Sequence, residues 1–199
     1  FDAVMERVLE AGGDRFDLLG QSLGGWLAQC AARLHPQRVR RLAIAHSFVL
    51  EARHGCRFRL GGRVLRALPV AVLAPLLRAR ISTALAPLTA RDPEASERIL
   101  QMLGPSLRDP GFRAMLVAQQ RILAASAAAV AAHPPPALPT LIIDSDDDPL
   151  LGPGLRAQLR AAWPAARTLC VTGAGHISAM VETDRFIAAV TDFLEGDQG

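Results

Sequence analysis

Residues 16–25, Phe16-Asp17-Leu18-Leu19-Gly20-Gln21-Ser22-Leu23-Gly24-Gly25, decide how the rest of the chain is read. The short apolar run from Arg15 to Leu19 has strand character. Leu23 to Leu34, rich in Ala and closed by His35-Pro36, has helix character. A Ser between the two, with Gly at both ±2 positions, fits a sharp strand–turn–helix elbow. Side chains at the ±2 positions are expected to clash with neighbouring segments, which gives Gly20 and Gly24 their reason. Such a turn presents the hydroxyl at a helix N-terminus. The next backbone N–H, that of Leu23, is left free to bind a developing oxyanion.

Outward from the elbow, Val39 to Ala45 reads as the next buried strand, and strand, helix, strand in that order builds a parallel sheet. Phe1 to Ala11 forms a helical pattern closed by Gly12-Gly13. Arg53 to Ala132 is helical in texture and rich in Arg and Ala. Within it, Asp92-Pro93-Glu94 and Asp109-Pro110 each set an N-cap residue before a proline, opening helices over 93–103 and 110–132. After Pro134-Pro135-Pro136, strands are expected at 140–143 and 167–171, and helices at 155–162 and 178–194. The expected architecture is an α/β sheet from residues 1–50 and 137–199, interrupted by a helical insertion at 51–136.

The 199 residues are 50% apolar, with seven Phe, which argues against disorder. All 22 basic residues are Arg, and Lys, Tyr and Asn are absent. A Walker loop, a Schiff-base lysine, a Ser-Lys dyad and a Tyr-Lys dehydrogenase pair are therefore excluded. Cys30, Cys56 and Cys170 form no C-x-x-C pair, so neither a disulfide framework nor a zinc site is indicated, and reduced thiols point to a cytoplasmic location. The uncharged run Ala67 to Leu77 covers 11 positions and includes Pro69 and Pro75, short of the ~20 apolar residues of a membrane span. No transmembrane segment is expected. Arg53, Arg57, Arg59, Arg63 and Arg66 read as a solvated face; without interleaved aromatic residues, nucleic acid is not an expected partner. Val64, Leu65, Leu68, Val70, Leu73, Leu76 and Leu77 read first as packing residues of the insertion. Any that line a cleft imply a small-molecule substrate with a hydrophobic portion.

A hydroxyl needs a base. His35, His46, His54 and His133 lie at element ends or at the margins of the insertion. His176 differs: it sits in Thr172-Gly173-Ala174-Gly175-His176, a Gly-rich loop leaving the last strand, at the sheet edge where a partner for Ser22 must be. The base in turn needs a carboxylate, and Asp144-Ser145-Asp146-Asp147-Asp148-Pro149 leaves the preceding strand, with Asp148 28 positions before His176. The same run imitates the start of a calcium loop, but its sixth position is Pro149 and its twelfth Leu155, where Gly and Glu are required. Crowding of four carboxylates is expected to raise some of their pKa values.

With these residues in order Ser, Asp, His, the chain resembles the α/β-hydrolase superfamily in its serine branch. The resemblance implies a helical cap inserted between the sixth and seventh strands, so that the chain would hold strands five to eight of that fold. Members often read G-x-x-D-x-x-x-P after the seventh strand, the Asp being the triad acid. Ser145-Asp146-Asp147-Asp148 aligns with G-x-x-D and selects Asp148, although Ser replaces the Gly and Pro153 falls one position late. Asp146, Asp147 and Glu51 stay open as the acid. A Ser at the elbow argues against haloalkane dehalogenase and dienelactone hydrolase. A second resemblance, to maspardin and its relatives, rests on Ser47-Phe48 and Trp163-Pro164-Ala165-Ala166-Arg167. Maspardin looks like an adaptor without the catalytic His, whereas this chain retains His176.

The resemblance implies a hydrolase of an ester, thioester, lactone or related carbonyl compound. Ser22 would attack, His176 would act as base and then acid, Asp148 would orient it, and Leu23 N–H would bind the oxyanion. No metal or cofactor is implied. The alternative is a non-catalytic adaptor or binding protein on the same fold. Only one helix precedes the elbow, where the resembled fold has four strands, so the chain reads as a truncation. By itself it is expected to expose a hydrophobic edge beside Phe16 to Leu19, to aggregate and to hydrolyse little. Light scattering and a melting curve test this; a monomeric, cooperatively melting and active 199-residue chain would contradict it.

Overall fold

Four short apolar segments separated by helices form one parallel sheet: β1 (Phe16–Gln21), β2 (Val39–Ala45), β3 (Thr140–Asp144) and β4 (Arg167–Cys170), in the order β1-β2-β3-β4. The computed structural model describes residues 1–196, so the last three positions of the 137–199 segment lie outside the described residues. Gly20 pairs with Ile44, Ala45 with Ile143 and Asp144 with Cys170, so all four strands end at one edge of the sheet. The central strands are the most apolar, as strands covered on both faces must be. Leu42, Ile44, Ile142 and Ile143 are fully buried.

Period-two alternation sends the side chains of β2 to two separate cores. Leu42 and Ile44 join Ile142 in a cluster with Ala28 and Ala32 of α2 (Leu23–Leu34) and Leu159 of α7 (Pro153–Ala162). Val8 and Leu9 of α1 (Asp2–Gly12) pack against the same cluster. Ala43 and Ala45 face the other way, where the small side chains make room for Phe186 and Phe193 of α9 (Thr183–Glu195). The final helical pattern, expected to be continuous from 178 to 194, is two helices, α8 (Ser178–Val181) and α9. The chain leaves helical geometry at Glu182, with φ −128° and ψ 53°.

The described chain divides into two compact units, residues 1–50 with 132–199 and residues 51–131. In the second, a 3₁₀ turn at 52–54 leads into α3 (Gly55–Ala67), α4 (Val70–Arg91), α5 (Pro93–Ser106) and α6 (Pro110–Ala129). Asp92 and Asp109 cap α5 and α6, accepting from the N–H groups of Ala95 and Gly111, with Pro at the first helical position of each. Of the apolar residues expected to pack here, only Leu73 is buried; Val64 and Leu76 are 47% and 59% exposed, and the others are half-buried. The Arg side chains at 57, 59, 63 and 66 are exposed, and Arg53 pairs with Glu51 at 2.8 Å. Among the described residues α4 alone is long and apolar enough, by length and composition, to cross a membrane, with a window of mean hydropathy 1.3. Arg78 and Arg80 at its middle would each place a charge at the bilayer centre, at a cost of about 3 kcal/mol apiece.

Gln29 shows how the sheet unit resolves a buried polar group. It is fully buried on α2; its amide donates to the Gly25 and Phe48 carbonyls at 3.1 and 3.0 Å and accepts from Trp163 Nε1 at 3.0 Å. Its loss strands a buried indole N–H and takes a donor from the Phe48 carbonyl. Gln29→Leu should therefore lower stability by about 2 kcal/mol or more, read as a fall in the urea midpoint.

Candidate active site

Each strand of the sheet hands its loop to the same edge, and the chemistry-bearing residues gather there. Ser22 follows β1 with φ 53° and ψ −118°, a left-handed backbone that non-glycine residues rarely hold. Three backbone-directed bonds fix the turn. Ser22 N–H donates to the Ala45 carbonyl at 2.9 Å, while the Ser22 carbonyl accepts from Trp26 N–H at 3.1 Å and from Ser47 Oγ at 2.7 Å. Leu23 opens α2, so its N–H belongs to the first turn, where no helical carbonyl can reach.

The glycines around the elbow divide differently from expectation. A side chain at Gly20 would run into the Gly24 carbonyl, and one at Gly25 would meet Ser47 Cβ at 2.6 Å and the Gly20 carbonyl at 2.9 Å. At Gly24 a Cβ would meet nothing within 4 Å. The close approach is thus between the start of α2 and the ends of β1 and β2, and it needs glycine at −2 and +3 rather than at both ±2 positions.

His176 leaves β4 through the loop containing Gly173 and Gly175, both at positive φ. Its Nδ1 lies 2.8 Å from Asp148 Oδ2, and Gln21, the residue before Ser22, donates from Nε2 to the His176 carbonyl at 2.9 Å. That bond ties the histidine loop to the elbow. Of the carboxylates left open by the sequence, Asp148 is the one in contact with His176. Asp147 is exposed and accepts from Gly175 N–H at 3.0 Å, Asp146 is exposed, and Glu51 pairs with Arg53 in the helical unit. Asp144 is taken up by a bidentate pair with Arg160 at 2.7 and 2.8 Å. Ser145 Oγ, donating to the Val171 carbonyl, holds the acid loop against the end of β4.

One member of the cluster was not singled out from the sequence. His46, fully buried at the end of β2, places Nδ1 3.1 Å from the same Asp148 oxygen and Nε2 2.6 Å from Ser178 Oγ. Its signal was position alone, directly after a central strand that ends at the reactive edge. Candidate ligand atoms of His46, Asp148 and His176 lie within 4.8 Å of one another. Hydrogen bonds account for that closeness: at 2.8 and 3.1 Å a proton bridges each ring nitrogen to the carboxylate.

Burial pushes the Asp148 carboxyl up, but hydrogen bonds from His176 and His46 and the N–H of Leu150 outweigh it and hold the group well below the usual carboxylate range. The rise expected from crowding carboxylates therefore does not occur at Asp148. Its folded pKa lies below an unfolded value near ~4. The stability it contributes is then complete above that value and is lost as pH falls through it toward the folded value. In Asp148→Asn this part of the acid slope should vanish, leaving a flatter curve of urea midpoint against pH below about pH 4.

Comparison with known proteins places this geometry in a family. Residues 1–190 match the family described as the alpha/beta hydrolase family. No curated protein matches the chain. Among solved structures it is similar to an alpha/beta hydrolase enzyme from a Medee basin deep-sea metagenome library, at 17% identity and TM-score 0.72, over 97% of this chain and 70% of that one. It is also similar to a hydrolase from Pseudomonas aeruginosa PA01, at 26% identity and TM-score 0.63, over 97% of this chain and 69% of that one. A third likeness is to the enol-lactonase from Burkholderia xenovorans LB400, at 22% identity and TM-score 0.64, over 92% of this chain and 66% of that one. The chain thus spans about two thirds of the length of these structures. Parallel sheet, elbow and family match together establish that the chain belongs to the alpha/beta hydrolase family.

Proposed function

We propose that the protein is a serine hydrolase of an ester, thioester, lactone or related carbonyl substrate. The observation that carries this reading is the Asp148–His176 hydrogen bond of 2.8 Å at the same sheet edge as the strained Ser22. With Nδ1 of His176 donating to Asp148, Nε2 is left as the acceptor that can take the Ser22 proton. Ser22 Oγ attacks the carbonyl carbon, the oxyanion meets the Leu23 N–H, and an acyl-enzyme forms as the leaving group takes the proton from His176. Water then repeats the sequence and frees the acid.

The enol-lactonase among the similar structures favours a lactone or related carbonyl compound. Such a ligand, with a hydrophobic portion, is the partner proposed here, in a cytoplasmic protein without a transmembrane segment and with no nucleic-acid partner. No residue of this mechanism calls on a metal or cofactor.

Replacing Ser22 tests the reading. In the full-length protein, Ser22→Ala should lower kcat for an activated ester by a factor on the order of 10⁴ or more with little change in KM. A fluorophosphonate should label the parent protein at Ser22 and leave that variant unlabelled. A folded full-length protein that takes no label would instead favour a non-catalytic binding or adaptor role.

A further inference from the structure

Only two non-glycine residues among the described positions hold positive φ, Ser22 at 53° and His46 at 43°. They end adjacent parallel strands at the same edge of the sheet. A backbone in this region persists only where its surroundings over-determine it, and such strain gathers at functional positions. The nucleophile turn accounts for Ser22. His46 plays no part in the chemistry proposed above, yet its ring is fully buried with both nitrogens engaged.

The hydrogen bonds fix which way each proton points. Ionised Asp148 can only accept, so Nδ1 of both His46 and His176 must donate to Oδ2. The other carboxylate oxygen is filled by the N–H groups of Leu150 and Leu151 at 2.8 and 3.0 Å. A neutral His46 then offers Nε2 as an acceptor, and the Ser178 hydroxyl at 2.6 Å donates to it. The chain of donors runs from Ser178 to His46 to Asp148, and meets the bond from His176 on a single oxygen. The two imidazoles meet edge to face, with centroids 5.6 Å apart.

We infer that His46 is a positioning residue: its tautomer fixed by Asp148 and its ring held in place by Ser178, it shares Asp148 Oδ2 with His176, holding the carboxylate in place and tempering its pull on the His176 proton. The inference rests on the reading of Ser22, His176 and Asp148 as a catalytic triad. An oxygen that accepts from two rings gives each less of its charge than one that accepts from one. Without His46, Asp148 would bind protonated His176 more strongly, and the base would be lost to protonation at a higher pH. The charged and titratable groups on the elements around His46 are Asp148 with the exposed Asp146 and Asp147 from the loop after β3, Cys170 at the end of β4 and His176 from the loop after it, Glu182 at the end of α8, and Asp144, already paired with Arg160.

Nitrogen-15 NMR of ring-labelled full-length protein reads the His176 titration directly, and the pH dependence of fluorophosphonate labelling reads it through Ser22. His46→Leu removes the donor to Asp148. His46→Asn keeps an N–H at the Nδ1 position and tolerates positive φ. Ser178→Ala leaves the ring but removes the contact that holds its Nε2 end. The His176 midpoint, and the acid limb of labelling with it, should rise by about half a pH unit or more in His46→Leu. It should rise less in Ser178→Ala and stay near the parent value in His46→Asn. An unmoved midpoint in folded His46→Leu, or an equal rise in His46→Asn, would overturn the inference. Should His46→Leu not fold, Ser178→Ala decides: an unchanged His176 midpoint would count against it. A midpoint shift seen by NMR in a protein that takes no label sinks the nucleophile reading alone and leaves the coupling supported.

Discussion

A carboxylate buried beside a sheet stays charged only if every lone pair is met, and Asp148 is where that demand is concentrated. Its two oxygens accept four hydrogen bonds, from two backbone N–H groups and two imidazoles. Each donor comes from a different direction, which requires the ends of β2, β3 and β4 to lie side by side. Parallel pairing supplies that arrangement, with Ala45 opposite Ile143 and Asp144 opposite Cys170. An antiparallel β3 would send its acid loop to the opposite edge. The polar cluster therefore depends on a topology that the apolar strands stabilise, since an unmet carboxylate of this kind costs several kcal/mol.

The elbow depends on a second closeness, between backbones. Gly25 sits against Ser47 and the Gly20 carbonyl, and Ser47 Oγ binds the Ser22 carbonyl. One side-chain carbon at position 20 or 25 would push α2 away from the strand ends and release the left-handed Ser22. Gln21 adds a link in the other direction, since its amide holds the His176 carbonyl. Ser22 is thus fixed by a main-chain bond to β2 and by the Ser47 hydroxyl, and the histidine loop is fixed to β1 by the Gln21 side chain.

Elements with strong local signals were legible from the residues alone. Leu23–Leu34 and Val39–Ala45 occupy the spans their periodicity predicts, because an Ala-rich amphipathic run ended by His35-Pro36 and a short apolar run between polar segments have few alternative readings. The caps at Asp92 and Asp109 were legible for the same reason: the signal lies within three residues. The break at Glu182 was not, since no Gly or Pro interrupts the run from Ser178 to Leu194. Nor could composition tell that Gly24 is sterically free while Gly25 is not, because the obstructing atoms belong to Ser47, 22 positions away.

His46 marks the boundary of what a linear reading reaches. Strand alternation places Leu42 and Ile44 in the core beneath α2 and α7, and Ala43 and Ala45 in the core with α9. Continued by one residue, the same alternation sends position 46 toward α2 and α7. The ring instead meets Ser178, whose neighbours Ala179 and Val181 pack in the α9 core. Positive φ at His46 is what ends the alternation and turns the side chain. Pattern arguments fail at such residues because the local backbone preference is overruled by contacts from outside the strand, here the hydrogen bonds of the ring to Asp148 and Ser178. Among the non-glycine residues described, departure from local preference and placement at the edge where the polar cluster gathers coincide at Ser22 and again at His46, so positive φ marks the two strand ends whose backbones are set by contacts from outside the strand.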